Sequence, residues 1–490
     1  MIYIAIFLPI IAGFFIVLGP LDRRKPMLIF TECVTLITSV LAWLLIVNPP
    51  TASAVLFEFV DKYTISFRID GLSRVFAGLV STLWPLATLY ATEYMEHEVT
   101  ENTMKEKTFF GFYTITFGVT LGIAFSSNML SMYCFYEMLT LVTIPLIMFT
   151  LTREAIHATR TYIYFSLGGA AFAFISLIFL MAYSDSIEFT LGGVLNLSSL
   201  GGRDDLLRFI YVLAFFGFGV KAAIFPVNSW LPKAGVAPTP VTALLHAVAV
   251  VKSGAFAIIR LIYYSYGTEL LKGTWAQYVT MGFAIFTIVY GCSMAVKERH
   301  IKRRLAYSTI SNLSYILFGA TLMTPLGMTG AMAHMVFHGI MKIGSFFCAG
   351  AIICKAHKTY VYELEGIGKR MPKVMAVFTI STFALMGVPG LCGFISKWRL
   401  ATAAIELGMI ESYIGVGALL LSALLTAIYM LQIVIRAFFP VEGTVVEGEK
   451  CDPSWKMMVP LFLFVCGMLF FGVYSTPLIS FLEKVAGGVI

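Results

Sequence analysis

The feature that most constrains this chain is the recurrence, from end to end, of apolar runs near the roughly 20 residues that a helix needs to cross a bilayer core. Spans are expected at about 2 to 20, 27 to 47, 71 to 92, 108 to 127, 129 to 150, 161 to 184, 206 to 225, 238 to 264, 274 to 296, 305 to 323, 328 to 353, 374 to 404, 411 to 438 and 457 to 482. The fold class is therefore an all-α polytopic membrane protein of about 14 transmembrane helices. Composition agrees: 59% of the 490 residues are hydrophobic and 12% charged, against roughly a quarter charged in soluble domains. Between spans 2 and 3 the stretch VLFEFVDKYTISFRID alternates apolar and polar residues, which predicts a small hairpin outside the lipid. No polar stretch is long enough for a soluble domain.

Loop charge sets the orientation. Arg23, Arg24 and Lys25, then Lys105 and Lys107, Arg153 and Arg160, the cluster Lys297 to Arg304, and Lys355 to Lys373 fall on one side if both termini face outward. Cytoplasmic loops collect Lys and Arg, so a multi-pass protein of the cell (cytoplasmic, inner) membrane with both ends outside is expected. The net charge of +7 is thus an orientation signal rather than a nucleic-acid surface. The first residues read as a retained span, since no basic stretch precedes the apolar run and no small-residue cleavage site follows.

Two spans read as broken. In span 7, GVKAAIFPVNSWLPKAGVAPTP sets four prolines shortly after Lys221, and in span 12, FALMGVPGLCGFISKWRL sets Gly387, Pro389, Gly390 and Gly393 before Lys397. Such breaks are tolerated in lipid only where protein or water meets the freed backbone groups. Breaks five spans apart suggest two inverted five-helix repeats with an ion site near mid-membrane. The expected divisions are 1–107 (spans 1 to 3 with the hairpin), 108–264 (first repeat), 274–438 (second repeat) and 439–490 (span 14).

Charges inside spans are costly, about 2.5 to 3.5 kcal/mol each on insertion scales, and so point to function with a partner. The candidates are Glu137, Lys221, His246, Lys252, His334, His338, Lys342 and Lys397. His334, His338 and Lys342 recur every four residues, which stacks them on one helix face a turn apart, within reach of bridging water. Glu137 and Lys221 are partners of opposite sign: the carboxylate favours the charged lysine, and withdrawing its influence lets the lysine release a proton to the row. Lys397 could instead snorkel from a span end, and Lys302, Arg303 and Arg304 read as an orientation signal with a lipid contact. No cysteine spacing matches a metal, cluster or redox pattern, and no GxGxxG opens a helix after a strand, so neither metal nor cofactor is expected.

At these residues the sequence resembles the antiporter-like membrane subunits shared by respiratory complex I, multisubunit Mrp-type cation/proton antiporters and group 4 membrane-bound hydrogenases. The matching stretches are RIDGLSRVF from Arg68, YEMLTLVTIPL from Tyr136, KAAIFPVNSWLPKAGVAPTPVTALLHAVAVVKSG from Lys221, KRRLAYSTISNLSYI from Lys302 and HMVFHGIMKIGSFFCAGAI from His334. YSTISNLSYI and LHAVAVVKSG place the resemblance nearest the Mrp-subunit-D-like branch, with the hydrogenase type beside it. The resemblance implies fourteen helices with inverted repeats, pairing of Glu137 with Lys221, and a hydrated axis through Lys252, His334, His338 and Lys342 to Lys397. Lys233 stands in LPKAG where many relatives carry Asp, which puts an acidic contact there in doubt, and no long lateral helix follows span 14.

Three functions compete. One is a proton-conducting subunit, not catalytic alone, coupled to a redox or antiport partner among other membrane subunits. A second is Na+/H+ or other monovalent cation/proton exchange in an Mrp-type assembly; Na+ wants oxygen ligands, and buried carboxylates are scarce. The third is a scaffold that moves no ion. Lys221→Ala or Glu137→Ala separates the first from the third, since conduction predicts loss of coupled proton movement in an assembled complex.

Overall fold

The computed structural model describes residues 1–60, 63–98, 103–199, 201–441 and 449–490. It opens with helices α1 (Ile2–Leu18) and α2 (Arg24–Val47), then the antiparallel hairpin β1 (Ala54–Val60) and β2 (Tyr63–Phe67). The hairpin's turn, 61–62, lies outside the described residues. Helices α3 (Gly71–Glu98), α4 (Thr103–Phe125), α5 (Met129–Ile147), α6 (Arg153–Tyr183) and α7 (Asp204–Gly219) follow. Next come the short α8 (Trp230–Ala234) and α9 (Thr239–Ala243), then α10 (Val250–Ile259) and α11 (Thr268–Leu271). The second half holds α12 (Trp275–Lys297), α13 (Ile301–Thr321), α14 (Pro325–Ala356), α15 (Ile367–Arg370), α16 (Pro372–Met386), α17 (Cys392–Leu407), α18 (Ile410–Phe438), α19 (Trp455–Val473) and α20 (Thr476–Ala486).

Among the described residues, ten helical runs are long and apolar enough to cross a membrane, with Thr239–Tyr266 as one continuous run. Helices stand at every expected span, but four of those places fall short of that measure. α1 and α16 are apolar yet short. α7 stops at Gly219, and α13 carries Lys302, Arg303, Arg304, Ser308, Ser311, Asn312 and Ser314. Span 14 departs from expectation in another way. The run 457 to 482 is split between α19 and α20, because Pro477 has no N–H for the Val473 carbonyl four residues back and its ring clashes with that carbonyl, which ends α19 at Val473. α20 buries Ile479, Leu482, Val485 and Ala486 and is pinned by Glu483 to Arg399 at 2.9 Å.

Burial sorts the helices. The run Thr239–Tyr266 is buried throughout and α14 nearly so, whereas α2, α6 and α18 turn long apolar faces outward. Titratable groups on the inner helices therefore face protein or water, which is where such groups are tolerated. The central run is not a plain α-helix: Leu244–Val248 and Arg260–Tyr266 are π-helical, and the Ala249 amide donates to the Leu244 carbonyl five residues back. Such bulges re-aim side chains and are frequent at functional sites. His246 lies in the first.

Arg260 opens the second bulge and is fixed by Asp70, with Nη1 to Oδ2 at 2.5 Å and Nη2 to Oδ1 at 2.7 Å, and by Ser73 Oγ at 2.9 Å. Asp70 also accepts from the Ser73 amide at the start of α3. Burial raises the Asp70 carboxyl, but the Arg260 charge and these hydrogen bonds prevail and hold it below its usual range. The ion pair is structural, tying the central run to α3.

At the other end of the bundle, His300 caps α13 by accepting the Lys302 amide on Nδ1 at 3.2 Å. Burial, with Lys302 and Arg303 beside it, pushes this imidazole down to about 4. Its folded value lies below its unfolded one, so the contribution is complete above about pH 6.5 and falls as acid protonates the unfolded chain first. Between pH 7.5 and 4.5 the wild type should lose more thermal stability than His300→Asn, which caps without titrating there. Parallel melting curves in detergent would refute this.

Candidate functional site

The break after α7 places Lys221. With the helix stopped at Gly219, the chain turns through Val220 to Ser229, and the freed carbonyls are met by side chains. Trp230 Nε1 donates to Val220 O at 2.8 Å and Tyr136 Oη to Phe218 O at 3.1 Å. The Phe225 amide finds Thr287 Oγ1 at 3.1 Å. Every freed group named here has a protein partner, which is what lets a break persist in lipid. Lys221 is 1% exposed, its Nζ donates to the Tyr136 carbonyl, and it sits 3.3 Å from the centre of the Tyr136 ring.

Glu137 follows Tyr136 on α5 and is Lys221's charged neighbour, but no direct ion pair joins the two. Successive helical residues are rotated by about 100°, so the amine that takes Tyr136's face leaves Glu137 to one side. Its Oε1 is buried without a hydrogen-bond partner. The influence of Glu137 on Lys221 is therefore through space.

The second cluster is built on α14. His334, His338 and Lys342 are all fully buried there, with the two imidazole rings 5.7 Å apart and nearly parallel. Lys252 comes in from α10, its Nζ 2.7 Å from His338 Nδ1. His334 Nδ1 lies 2.9 Å from Ser396 Oγ on α17, and its ring stacks on Tyr315 at 5.0 Å. Lys342 turns away from the histidines and donates to Ser308 Oγ on α13 at 2.7 Å. His246 is also fully buried, packs on Phe346 at 4.8 Å, and is a charge neighbour of Lys342.

Lys397 closes the series. The break at Gly387, whose φ of +89° suits glycine, ends α16 and leaves its last carbonyls free. Lys397 Nζ donates to Leu385 O at 2.6 Å and Met386 O at 3.1 Å, a cation on the negative end of a helix. It also stands 5.4 Å from the Tyr315 ring. The side chain thus points into the fold, against the snorkelling alternative.

All eight expected residues are linked by contacts or as charge neighbours into two groups. Glu137 and Lys221 form the first; His246, Lys252, His334, His338, Lys342 and Lys397 form the second. Among the described residues, four buried imidazole nitrogens of this cluster have no protein partner: both of His246, and Nε2 of His334 and His338. Buried polar groups are rarely left unmet, and water is the partner open to these. Lys233, by contrast, is exposed on α8. Among the described residues no three His, Cys, Asp or Glu side chains are placed to hold a metal ion.

Sequence reading passed over Tyr136, Ser308, Ser396 and Tyr315, which touch these groups, and Tyr429, which touches Ser308. A signal existed: Ser308, Ser311 and Tyr315 on α13, and Ser422, Thr426 and Tyr429 on α18, recur at helical spacing and so line one face each. The basic run 302–304 differs in part from an orientation signal. Lys302 and Arg304 are buried, donating to the Ala237 carbonyl and to the Glu298 and Tyr429 carbonyls. Only Arg303 is exposed as an orientation signal would be.

The fold recurs in known complexes. A chain of the archaeal membrane-bound sulfane sulfur reductase superposes with a TM-score of 0.86 at 23% identity, covering 100% of this chain and 97% of that one. A chain of the Mrp complex from Dietzia sp. gives 0.83 at 19% identity, covering 99% and 97%. One from respiratory complex I of Thermus thermophilus gives 0.83 at 21% identity, covering 100% and 98%. In sequence, NADH-quinone oxidoreductase subunit N of Desulforudis audaxviator is 28% identical over 429 residues, 85% of this chain and 83% of that protein. An NAD(P)H-quinone oxidoreductase chain 4-3 of Nostoc sp. is 28% identical over 454 residues, 89% and 77%. Residues 126–439, which hold all eight expected positions, match the family described as NADH:quinone oxidoreductase/Mrp antiporter, transmembrane region. This chain, a multi-pass membrane protein, belongs to that family.

Proposed function

We propose that this chain is the antiporter-like, proton-conducting subunit of a multisubunit membrane complex, moving protons along its buried lysines and histidines. The observation that carries the reading is the 2.7 Å contact of Lys252 with His338, whose ring stacks towards His334. A charged Lys252 donates to His338 Nδ1, so the imidazole holds its own hydrogen on Nε2. Transfer of the shared proton leaves a neutral amine and an imidazolium, which can pass a proton from Nε2 through water towards His334.

Lys221, with Glu137 nearby, is the input switch, and Lys397 the group at the far end. Other membrane subunits, as in the NADH-quinone oxidoreductases and Mrp complexes of its relatives, supply the driving force. Each proton moved against 100 mV needs about 2.3 kcal/mol, within reach of a local electrostatic push. A cluster of amines and imidazoles with one nearby carboxylate suits protons better than Na+, which takes oxygen ligands. The chain lies in the cell membrane with both termini outward, and the segments 108–264 and 274–438 act as paired repeats.

The test uses the assembled complex in vesicles with an internal pH dye. Lys221→Met and Lys252→Met should each abolish coupled acidification while the complex still purifies whole. Undiminished acidification by both would remove conduction and leave the scaffold reading.

A further inference from the structure

Beside the histidine row lies a second buried chain of polar groups, formed by hydroxyls of α13 and α18 and one thiol of α12. From Lys342 it runs to Ser308 Oγ at 2.7 Å, which also receives the Tyr429 hydroxyl at 2.7 Å. Tyr429 Oη lies 3.2 Å from Thr426 Oγ1. Cys292 Sγ is 3.8 Å from Thr426 Oγ1 and 2.9 Å from Ser422 Oγ, which is in turn 3.1 Å from Ser311 Oγ. All of these side chains are fully or almost fully buried. One turn further on, the Tyr315 hydroxyl has Ser422 as its neighbour, and the Tyr315 ring faces both His334 and Lys397.

We infer that this hydroxyl chain is a second proton branch, joining Lys342 to the Tyr315 and Lys397 end of the path without passing through His338 or His334. The inference rests on the proton-conducting reading above. Nothing in a structural account requires an unbroken line of hydroxyls on two facing helices. A buried hydroxyl needs only one partner, and Ser311 and Thr426 already find backbone carbonyls. Each hydroxyl can both give and accept a hydrogen, so a line of them serves as a relay.

The proton balance is simple. With the Ser308 and Tyr429 hydroxyls first turned so that Ser308 donates to Tyr429, an N–H bond of the Lys342 ammonium, recharged from its neighbour Lys252, breaks as an O–H bond forms on Ser308, whose own hydrogen passes to Tyr429. That oxygen releases its hydrogen to Thr426, Thr426 to Cys292, Cys292 to Ser422 and Ser422 to Tyr315, whose hydrogen is taken through water by the neutral amine of Lys397. Each group ends with one hydrogen, nothing is oxidised, and rotation about the C–O bonds resets the line.

The branch is tested in the assembled complex by acidification of vesicles, with Tyr429→Phe and Thr426→Val as near-isosteric breaks. His338→Gln alone should retain a rate above the leak, carried by the branch. Adding Tyr429→Phe or Thr426→Val to it should bring the rate down to the leak. Either single break in an otherwise native chain should leave most of the rate, since the histidine row still conducts. The branch is overturned if His338→Gln alone is already at the leak, or if both double variants match it. Failure of the parent reading looks different: there Lys252→Met, run in parallel, keeps the native rate.

Discussion

Replacing Lys221 by Ala abolishes coupled proton movement and leaves the complex assembled. Assembly survives because the amine is not what holds the break together. The carbonyls freed after α7 are capped by Trp230 and Tyr136, and neither bond involves Lys221. The lost contact with the Tyr136 ring is worth about 0.5 to 2 kcal/mol, which a chain of this size absorbs. Transport is lost because Lys221 is the amine placed beside Glu137 at the first break.

Glu137→Ala has the same outcome for a different reason. The two charges do not touch, so their coupling is below the roughly 4 kcal/mol of a pair 4 Å apart at an effective dielectric of 20. A change of about half that is comparable with the roughly 2.3 kcal/mol of one proton crossing 100 mV. Lys221→Arg should not rescue, since a guanidinium stays protonated where a lysine can let go. Vesicle acidification with either alanine variant at the native rate would remove the switch.

Much of this was legible in the sequence, because lipid imposes strong rules. Apolar runs near the bilayer thickness locate helices, and both expected breaks appear, at Gly219 and at Gly387. Buried charge in an apolar run is equally loud, which is why Lys252, His334, His338 and Lys342 could be named in advance.

Four things were not legible. The π-helical bulge around His246 depends on packing of the whole central run, since LLHAV carries no local mark of it. Charge sign suggested that Glu137 and Lys221 meet, but helix rotation gives Lys221 to Tyr136 instead. The split of α19 from α20 was hidden by apolar residues on both sides of Pro477. Hydroxyls were missed for another reason: Ser and Thr cost little in a helix, so a search for expensive residues passes over them.

Gly254→Ala should remove transport while leaving every titratable group in the chain. Gly254 is where α10 presses against the broken segment. A Cβ there would lie 2.4 Å from the Ala222 amide nitrogen, 2.8 Å from the Lys221 carbonyl carbon and 3.0 Å from the Lys221 Cβ. The first two are backbone atoms, so no side-chain rotation relieves the clash, and the two segments must separate. Over-packing of this kind costs roughly 1 to 3 kcal/mol, which lowers stability without preventing folding. The separation acts on both clusters at once. It shifts Lys221 against Tyr136, and it shifts Lys252, two residues from Gly254, against His338, whose 2.7 Å contact has little slack. Where a misplacement of about 1 Å can cost on the order of 100-fold in a reaction that needs alignment, a loss of that order in acidification is expected. Lys252→Met removes a group and Gly254→Ala only moves one, so equal losses would place the requirement on contact itself. A Gly254→Ala complex that melts lower yet pumps at the native rate would mean that protons cross here without close contact, and the path would then have to be water throughout.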